Sequence, residues 1–242
     1  MASADHFRII ENCLKCPLKE DRLFCDLPDE VLQDLQEIKA TSFYPKGALL
    51  SLEGQPPRGV YILCTGRAKL SSTSADGKSI ILRIAEPGEV LGLTAVIGNT
   101  PYEATAEILE PTQANFISRQ DFMRFLDKYS NVGMKVAHQL THNCRCAYEE
   151  VRSLGLSKSV PEKIARLLLQ WSEHPLAVAK KKPGEIALRV TLTQEEIAQF
   201  VGSSRETVSR VLSDFKKKGW LRISGATWFI ANKPALEKLS NA

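Results

Sequence analysis

The chain has 242 residues, 43% of them apolar, enough for two domains with a core each. Neither a signal-peptide stretch in the first 25 residues nor a bilayer-length apolar run is present, so a soluble, cytoplasmic protein is expected. The net charge of +4 hides an asymmetry: residues 157–242 hold 15 Lys and Arg against 8 Asp and Glu. A basic C-terminal part points to an anionic partner, with nucleic acid first among candidates.

Three of the six cysteines fall in "CLKCPLKEDRLFC", as Cys13, Cys16 and Cys25. In a reducing compartment such a group suits metal or redox chemistry better than a structural disulfide. Next, "DEVLQDLQEI" places Val31, Leu32, Leu35 and Ile38 at helical spacing behind an acidic start. From Thr41 to about Ser118, short β-rich runs ("GVYILC", "RAKLSS", "SIILRIA", "QANFIS") alternate with Gly and Pro turns, which predicts an all-β roll or barrel. "ADGK" is expected to form a hairpin tip of type I′.

"RQDFMRFLDKY" reads as a helix, followed by a long one from about Asn131 to Leu154. Val136, Leu140, Asn143, Ala147, Val151 and Leu154 form a narrow stripe on it, the pattern of a dimer seam. Cys144 and Cys146 lie in the same helix but point in different directions, so they are not expected to share a metal. A further helix starts near Ser159 and Pro161, and "HPLAVAKKKPGE" reads as a loop.

"TLTQEEIAQFVGSSRETVSRVLSDFKKKGWLRISGATWFIA" carries two short helices around a tight turn. Thr193 and Glu196 form a capping box, Gly202 allows the turn, and Ser203 or Ser204 caps the second helix. Val208, Val211, Leu212 and Phe215 mark its buried side, leaving Arg205, Glu206, Ser209 and Arg210 on the other, with Ser204 and Thr207 at its start. These are side chains that hydrogen-bond base edges and phosphates, and a recognition helix presents its first turns to the major groove. Lys216, Lys217, Lys218 and Arg222 are expected near phosphates, and "WLRISGATWFIA" as a β-hairpin wing.

"LTQEEIAQFVGSSRETVSRVL" resembles the helix-turn-helix of the Crp/Fnr transcription regulators, and "GVYILCTGRAKLSS…DGKSIILRIAEPGEVLG" resembles their cyclic-nucleotide-binding-type sensor domain. The resemblance implies an α+β fold in family order: a cysteine-rich segment (1–27), a β-roll sensor (28–128), a dimerisation helix (129–156) and a winged helix-turn-helix (157–242). It implies a homodimer on double-stranded, pseudo-palindromic DNA, with RNA polymerase as a further partner, and a regulator rather than an enzyme. Arg205, Glu206, Ser209 and Arg210 become the base-reading positions. Glu206, Ser209 and Arg210 look like the Fnr branch and Arg205 like the Crp branch, leaving the half-site between TTGAT-like and TGTGA-like.

The Crp branch binds cAMP through a Glu just after "PGEVLG" and an Arg-Ser pair about ten residues on. This chain has Leu93 and Glu103-Ala104 there, a carboxylate where a phosphate would need a cation. The Fnr branch holds a 4Fe-4S cluster, and Cys13, Cys16 and Cys25 stand where its N-terminal ligands stand. It takes the fourth ligand from the segment matching "EPTQANFIS", which has no cysteine here; Cys64 is the candidate replacement, or a small buried apolar residue. The resemblance therefore implies a regulator controlled by oxygen or redox state through a cluster on Cys13, Cys16, Cys25 and Cys64. A thiol switch or zinc site without a cluster, a site that has lost its function, and a regulator binding a cyclic-nucleotide-like effector stand as alternatives.

Overall fold

The computed structural model describes residues 10, 12–17, 19, 22, 24–156, 159–173, 177–178 and 185–240, with only the backbone of residues 150, 153, 154, 156, 177 and 178. The chain divides into two compact units, one of Met1–Lys78 with Leu82–Cys146, the other of Ser79–Ile81 with Ala147–Ala242.

In the first unit a single 3-10 turn at Cys13–Lys15 precedes helix α1 (Asp29–Ile38), whose Val31, Leu32 and Leu35 are buried as their spacing predicts. Eight strands follow: β1 (Ala40–Tyr44), β2 (Leu49–Ser51), β3 (Gly59–Leu63), β4 (Ala68–Thr73), β5 (Ser79–Ala85), β6 (Val90–Leu91), β7 (Thr105–Ile108) and β8 (Thr112–Ser118). They form two four-stranded sheets, ordered β1-β8-β3-β6 and β2-β7-β4-β5. Leu63, Leu91 and Ala114 meet Leu50, Ala68, Ala85, Ala106 and Ile108 in one core cluster. Val60, Ile62, Val90 and Ile117 pack instead with the buried residues of α1 and of the helices that follow. The β1-β8-β3-β6 sheet is thus covered on both faces, which is why "GVYIL" is apolar throughout rather than alternating.

The turn at "ADGK" departs from expectation. The Gly77 N–H bonds to Ser74 O at 2.9 Å and the Ser74 N–H to Lys78 O at 2.9 Å. Gly77 has φ +78° and Asp76 has no positive φ, so this is a type I turn with a glycine bulge, not type I′. Helix α2 (Leu93–Gly98) is not announced by the sequence either, because it has too few residues to show a period. Helices α3 (Arg119–Lys128) and α4 (Ser130–Leu156) follow, α4 unbroken as predicted.

In the second unit α5 (Val160–Glu173) buries Ile164, Ala165, Leu167 and Leu168. Ser159 caps it, its hydroxyl accepting from the Glu162 N–H at 3.4 Å and donating to the Glu162 carboxylate at 2.8 Å. Strand β9 (Ala177–Val178) lies in the segment read as a loop and pairs with β10 (Ile186–Arg189); residues 174–176 and 179–184 of that segment lie outside the described residues. Then come α6 (Gln194–Val201), α7 (Arg205–Lys217), β11 (Leu221–Ser224), β12 (Thr227–Ile230) and a final helix, α8 (Lys233–Ser240), that periodicity did not announce. The sheet order is β11-β12-β10-β9, and β11 with β12 is the expected wing hairpin.

Candidate functional site

In the second unit, the Thr193 hydroxyl accepts from the Glu196 N–H at 3.2 Å, and the Glu196 carboxylate accepts from the Thr193 N–H at 2.8 Å, completing the capping box that starts α6. Gly202, at φ +64°, ends it in the left-handed conformation. Ser204, rather than Ser203, caps α7, accepting from the Thr207 N–H at 3.3 Å. Val208, Val211, Leu212 and Phe215 are buried, so packing fixes the rotation of α7 about its axis.

That rotation leaves Ser204, Arg205, Glu206 and Arg210 exposed, and Thr207 and Ser209 half-buried. The Arg210 guanidinium donates to the Thr207 hydroxyl at 3.2 Å, which in turn contacts Ser204 Oγ at 3.0 Å. Backbone and Ser204 hydrogen bonds hold the Glu206 carboxyl below the usual carboxylate range, with help from Arg205 and Arg210. One exposed face at the start of a capped helix thus carries paired cationic donors and a carboxylate acceptor, the set that reads guanine and cytosine edges. The flanking cations are less uniform than the sequence implies. Lys218 is bound to Asp214 at 2.7 Å, and Arg222 pairs with Glu185 at 3.0 Å while stacking on the Phe229 ring. Lys216 and Lys217 are exposed.

The first unit gathers the cysteines. Cys13 begins the 3-10 turn, which Asn12 caps by accepting from the Leu14 N–H. The Cys13 N–H donates to Gln36 of α1 at 3.1 Å, and Phe24, fully buried, anchors the segment beside Phe122. Gln113 of β8, also buried, grips the backbone of Ile10 twice, accepting at 2.8 Å and donating at 2.7 Å. Cys64 follows β3, with only 6% of its surface exposed, and its N–H donates to Gln113 O at 2.8 Å. It therefore sits across one ladder from the segment in which the resemblance places a fourth cysteine.

Burial raises Cys13, Cys25 and Cys64 above the ordinary thiol value, and neighbouring thiols add to it. Burial first, then Cys64, Cys13 and Cys16, push Cys25 up to about 12, against the pull of Arg22. Burial first, then Cys13 and Cys16, push Cys64 up to about 11, against Arg22 and Lys39. Cys13 is raised by burial and by Cys16, with Lys39 opposing. Among the described residues, no group of three or more His, Cys, Asp or Glu side chains is placed to hold a metal ion.

From this site contacts lead to α4. The buried Arg22 lies over Gly88, where an added Cβ would come within 2.7 Å of it. In the same turn Glu89 binds Arg83 and receives the amide of Gln139, and Gln139, buried on α4, also accepts from the Val90 N–H at 3.0 Å. Lys135 of α4 pairs with Asp26, next to Cys25, at 2.8 Å.

Helix α4 corrects the predicted seam. Val136 is buried in the core of the roll and Leu140 packs against it, so these two positions serve the first unit itself. The exposed face carries a different stripe: Met134, Ala137, Thr141, Cys144, Tyr148, Val151 and Gly155, spaced alternately by three and four. Met134 is 59% exposed and Tyr148 and Val151 are each 67% exposed. The Thr141 hydroxyl is satisfied by Ala137 O at 2.8 Å, so it brings no unmet polar group to that face.

The region matching the cAMP cassette has residues of different chemistry from those the resemblance expects. Leu93 is buried and Glu103 is exposed. The Tyr102 hydroxyl donates to Gly59 O at 2.7 Å and accepts from the Arg58 and Gly59 N–H groups, with its ring against Gly92.

Residues 41–129 match the cyclic nucleotide-binding domain and residues 162–239 the Crp-like helix-turn-helix domain. The chain is 29% identical over 197 residues to the CRP-like cAMP-activated global transcriptional regulator of Mycobacterium tuberculosis, covering 81% of this chain and 85% of that one. It is 27% identical over 218 residues to the transcriptional activator protein FnrL of Cereibacter sphaeroides, covering 90% and 86%. The structure of FixK2 from Bradyrhizobium japonicum superposes with a TM-score of 0.74 at 26% identity, covering 85% and 98%. A sensor roll and a capped helix-turn-helix, each matched in place and in this order, make the chain a member of the Crp/Fnr family of DNA-binding transcription regulators, not an enzyme.

Proposed function

We propose that the chain is a homodimeric regulator that binds pseudo-palindromic DNA through α7 and responds to oxygen or redox state through Cys13, Cys16, Cys25 and Cys64. What supports this reading is that Cys13, Cys16 and Cys25 of the N-terminal segment and Cys64 at the end of β3 belong to one part of the roll, Cys16 and Cys64 buried and Cys13 and Cys25 half-buried, and that Cys13, Cys16 and Cys64 add to the shift of Cys25. All-cysteine donors and burial suit an iron–sulfur cluster, which when bound supplies oxygen-sensitive redox chemistry. The thiols must lose their protons to bind: burial opposes that loss, and Arg22 and Lys39 work against the burial.

The chain's own residues supply the route outward. Arg22 on the Gly88 turn, Glu89 on Gln139, and Asp26 on Lys135 tie the order of the cysteine segment to α4. The exposed Met134–Gly155 stripe of α4 has the three-four alternation of a two-stranded parallel seam and is the dimer surface in this reading. On DNA, Arg205, Glu206, Ser209 and Arg210 read base edges, while Ser204, Thr207, Lys216 and Lys217 stand near phosphates. RNA polymerase is the further partner that the family implies.

The test is selection from a random duplex pool by anaerobically purified protein. The expected product is a two-fold symmetric site with half-sites about one helical turn apart, bound more weakly after air exposure. Asymmetric products, or affinity indifferent to air, would overturn the reading. A cAMP response, suggested by the cAMP-activated relative, is the second reading. The buried Leu93 and the Glu103 carboxylate oppose it, and titration calorimetry with cAMP and cGMP is expected to show no saturable heat.

A further inference from the structure

Glu86, in the turn between β5 and β6, takes no part in either the DNA or the cluster reading. Three turns meet at this end of the roll. The Gly88 N–H donates to Leu63 O at 2.7 Å and the Leu109 N–H to Arg67 O at 2.9 Å, so backbone bonds hold the segments after β3, after β5 and after β7 together. Three carboxylates, Glu86, Glu89 and Glu110, are brought against the guanidiniums of Arg67 and Arg83. Arg67 donates to Glu110 at 3.0 Å and Arg83 is bound to Glu89, all four side chains being at most 24% exposed. Each guanidinium thus has a carboxylate already, and Glu86 is the third. Its Oε2 is buried and, among the described residues, has no hydrogen-bonding partner. An ionised oxygen in that place is a buried charge without a partner, while a protonated carboxyl is neutral. Burial first pushes Glu86 up to about 7, with Glu89 and Glu110 adding and Arg67 pulling the other way.

The same turn seats α4. The Glu86 N–H donates to Glu89 Oε1 at 2.9 Å, and Glu89 Oε2, held by Arg83, accepts from the amide of Gln139 at 3.4 Å. Gln139 is 1% exposed and exchanges two further hydrogen bonds with the Val90 backbone, at 3.0 and 3.3 Å. We propose that Glu86 is a proton switch on this seat, holding α4 to the roll when protonated and loosening it when ionised. Ionised, it repels Glu89 of its own turn and Glu110 of the turn before β8, and it competes with Glu110 for Arg67 of the turn after β3. Arg83 of β5 is engaged by Glu89, and Arg22 of the N-terminal segment lays its stem over Gly88. The turn then shifts under Gln139, whose buried amide depends on it. The folded chain keeps the Glu86 proton where the unfolded chain has given it up. This contribution to stability is therefore full below the ordinary carboxylate range and is lost as pH rises through the folded value. Neither a cluster nor a dimer is required.

The experiment compares the full-length protein with Glu86→Gln, a neutral side chain of the same shape, by urea unfolding and hydrogen exchange between about pH 5 and pH 8. The histidines are common to both proteins and the buried thiols titrate above that window, so the difference between the two isolates Glu86. The expected result is a urea midpoint of the unmutated protein that falls relative to that of the variant as pH rises. Exchange of the Val90 N–H, corrected for its intrinsic pH dependence, is expected to speed up about tenfold across the window in the unmutated protein, the weight of one pKa unit, and to stay level in the variant. Parallel midpoints would overturn the proposal. So would a midpoint difference with level Val90 exchange in the unmutated protein, since Glu86 would then titrate without acting on α4. A variant too unstable to compare leaves the Val90 exchange of the unmutated protein to decide, and a level profile there overturns the switch.

Discussion

Arg210 is exposed, faces the same way as Glu206, and is steadied by the Thr207 hydroxyl. If it reads a base, Arg210→Ala costs about 1 to 3 kcal/mol on the selected operator and little on random duplex, since a bidentate base contact carries discrimination and a phosphate contact does not. Equal losses on both, measured by fluorescence anisotropy, would reassign it to the backbone. The thiols give a pH signature in the apo protein. The folded state holds Cys25 up to about 12 and Cys64 up to about 11, above the ordinary thiol value. The folded chain therefore keeps protons that the unfolded chain gives up. Their contribution to stability is full below the ordinary thiol range and is lost as pH rises through the folded values. Urea midpoints of apo protein are expected to fall above about pH 9, with Cys25→Ser flattening that fall. An identical slope in the variant would show that Cys25 is not the source. These residues differ in how readable they were. The recognition face follows from the apolar positions of α7 alone, because helix periodicity dictates which side chains remain outside. That Cys64 lies beside Gln113 depends on strand pairing between β3 and β8, about 50 residues apart, which no local pattern encodes.

At the scale of elements, the roll, the long helix and the winged helix-turn-helix were legible because each has its own texture: strands between Gly and Pro turns, an uninterrupted helical period, and a capping box before a glycine turn. What failed was the choice of face on α4. Val136 and Leu140 form as good an apolar stripe as Met134 and Tyr148, and spacing alone does not say which one the roll will cover. Short elements such as α2 and β9 also escaped, having too few residues to show a period. The reassigned face makes a clear prediction. Tyr148→Glu is expected to leave the thermal transition near that of the unmutated chain while shifting the protein to a monomer in sedimentation. Val136→Asp, placing a charge in the core of the first unit, is expected to lower stability by several kcal/mol. A dimer that survives Tyr148→Glu would return the seam to the other stripe. The Tyr102 hydrogen bonds can be weighed as well. Tyr102→Phe leaves Gly59 O and two N–H groups without their buried partner, at an expected cost of about 1 to 3 kcal/mol in denaturant unfolding.

For the whole molecule, the charge asymmetry along the chain and the two matched domains set a basic C-terminal part of Crp-like helix-turn-helix type apart from a roll of cyclic nucleotide-binding type that holds four of the six cysteines. The connection runs through contacts rather than distance. Arg22 rests on the turn that holds Glu89, Glu89 and Val90 hold Gln139, and Asp26 holds Lys135, so any change that disorders the cysteine segment is felt on α4. Central to this account is the claim that the four thiols bind a cluster. The most direct measurement is iron and sulfide content, with the absorption spectrum, of the anaerobically purified protein and its Cys64→Ser variant. The account predicts a brown protein with about four irons per chain and a variant that loses them. A colourless, iron-free protein that is nonetheless folded and dimeric would contradict it.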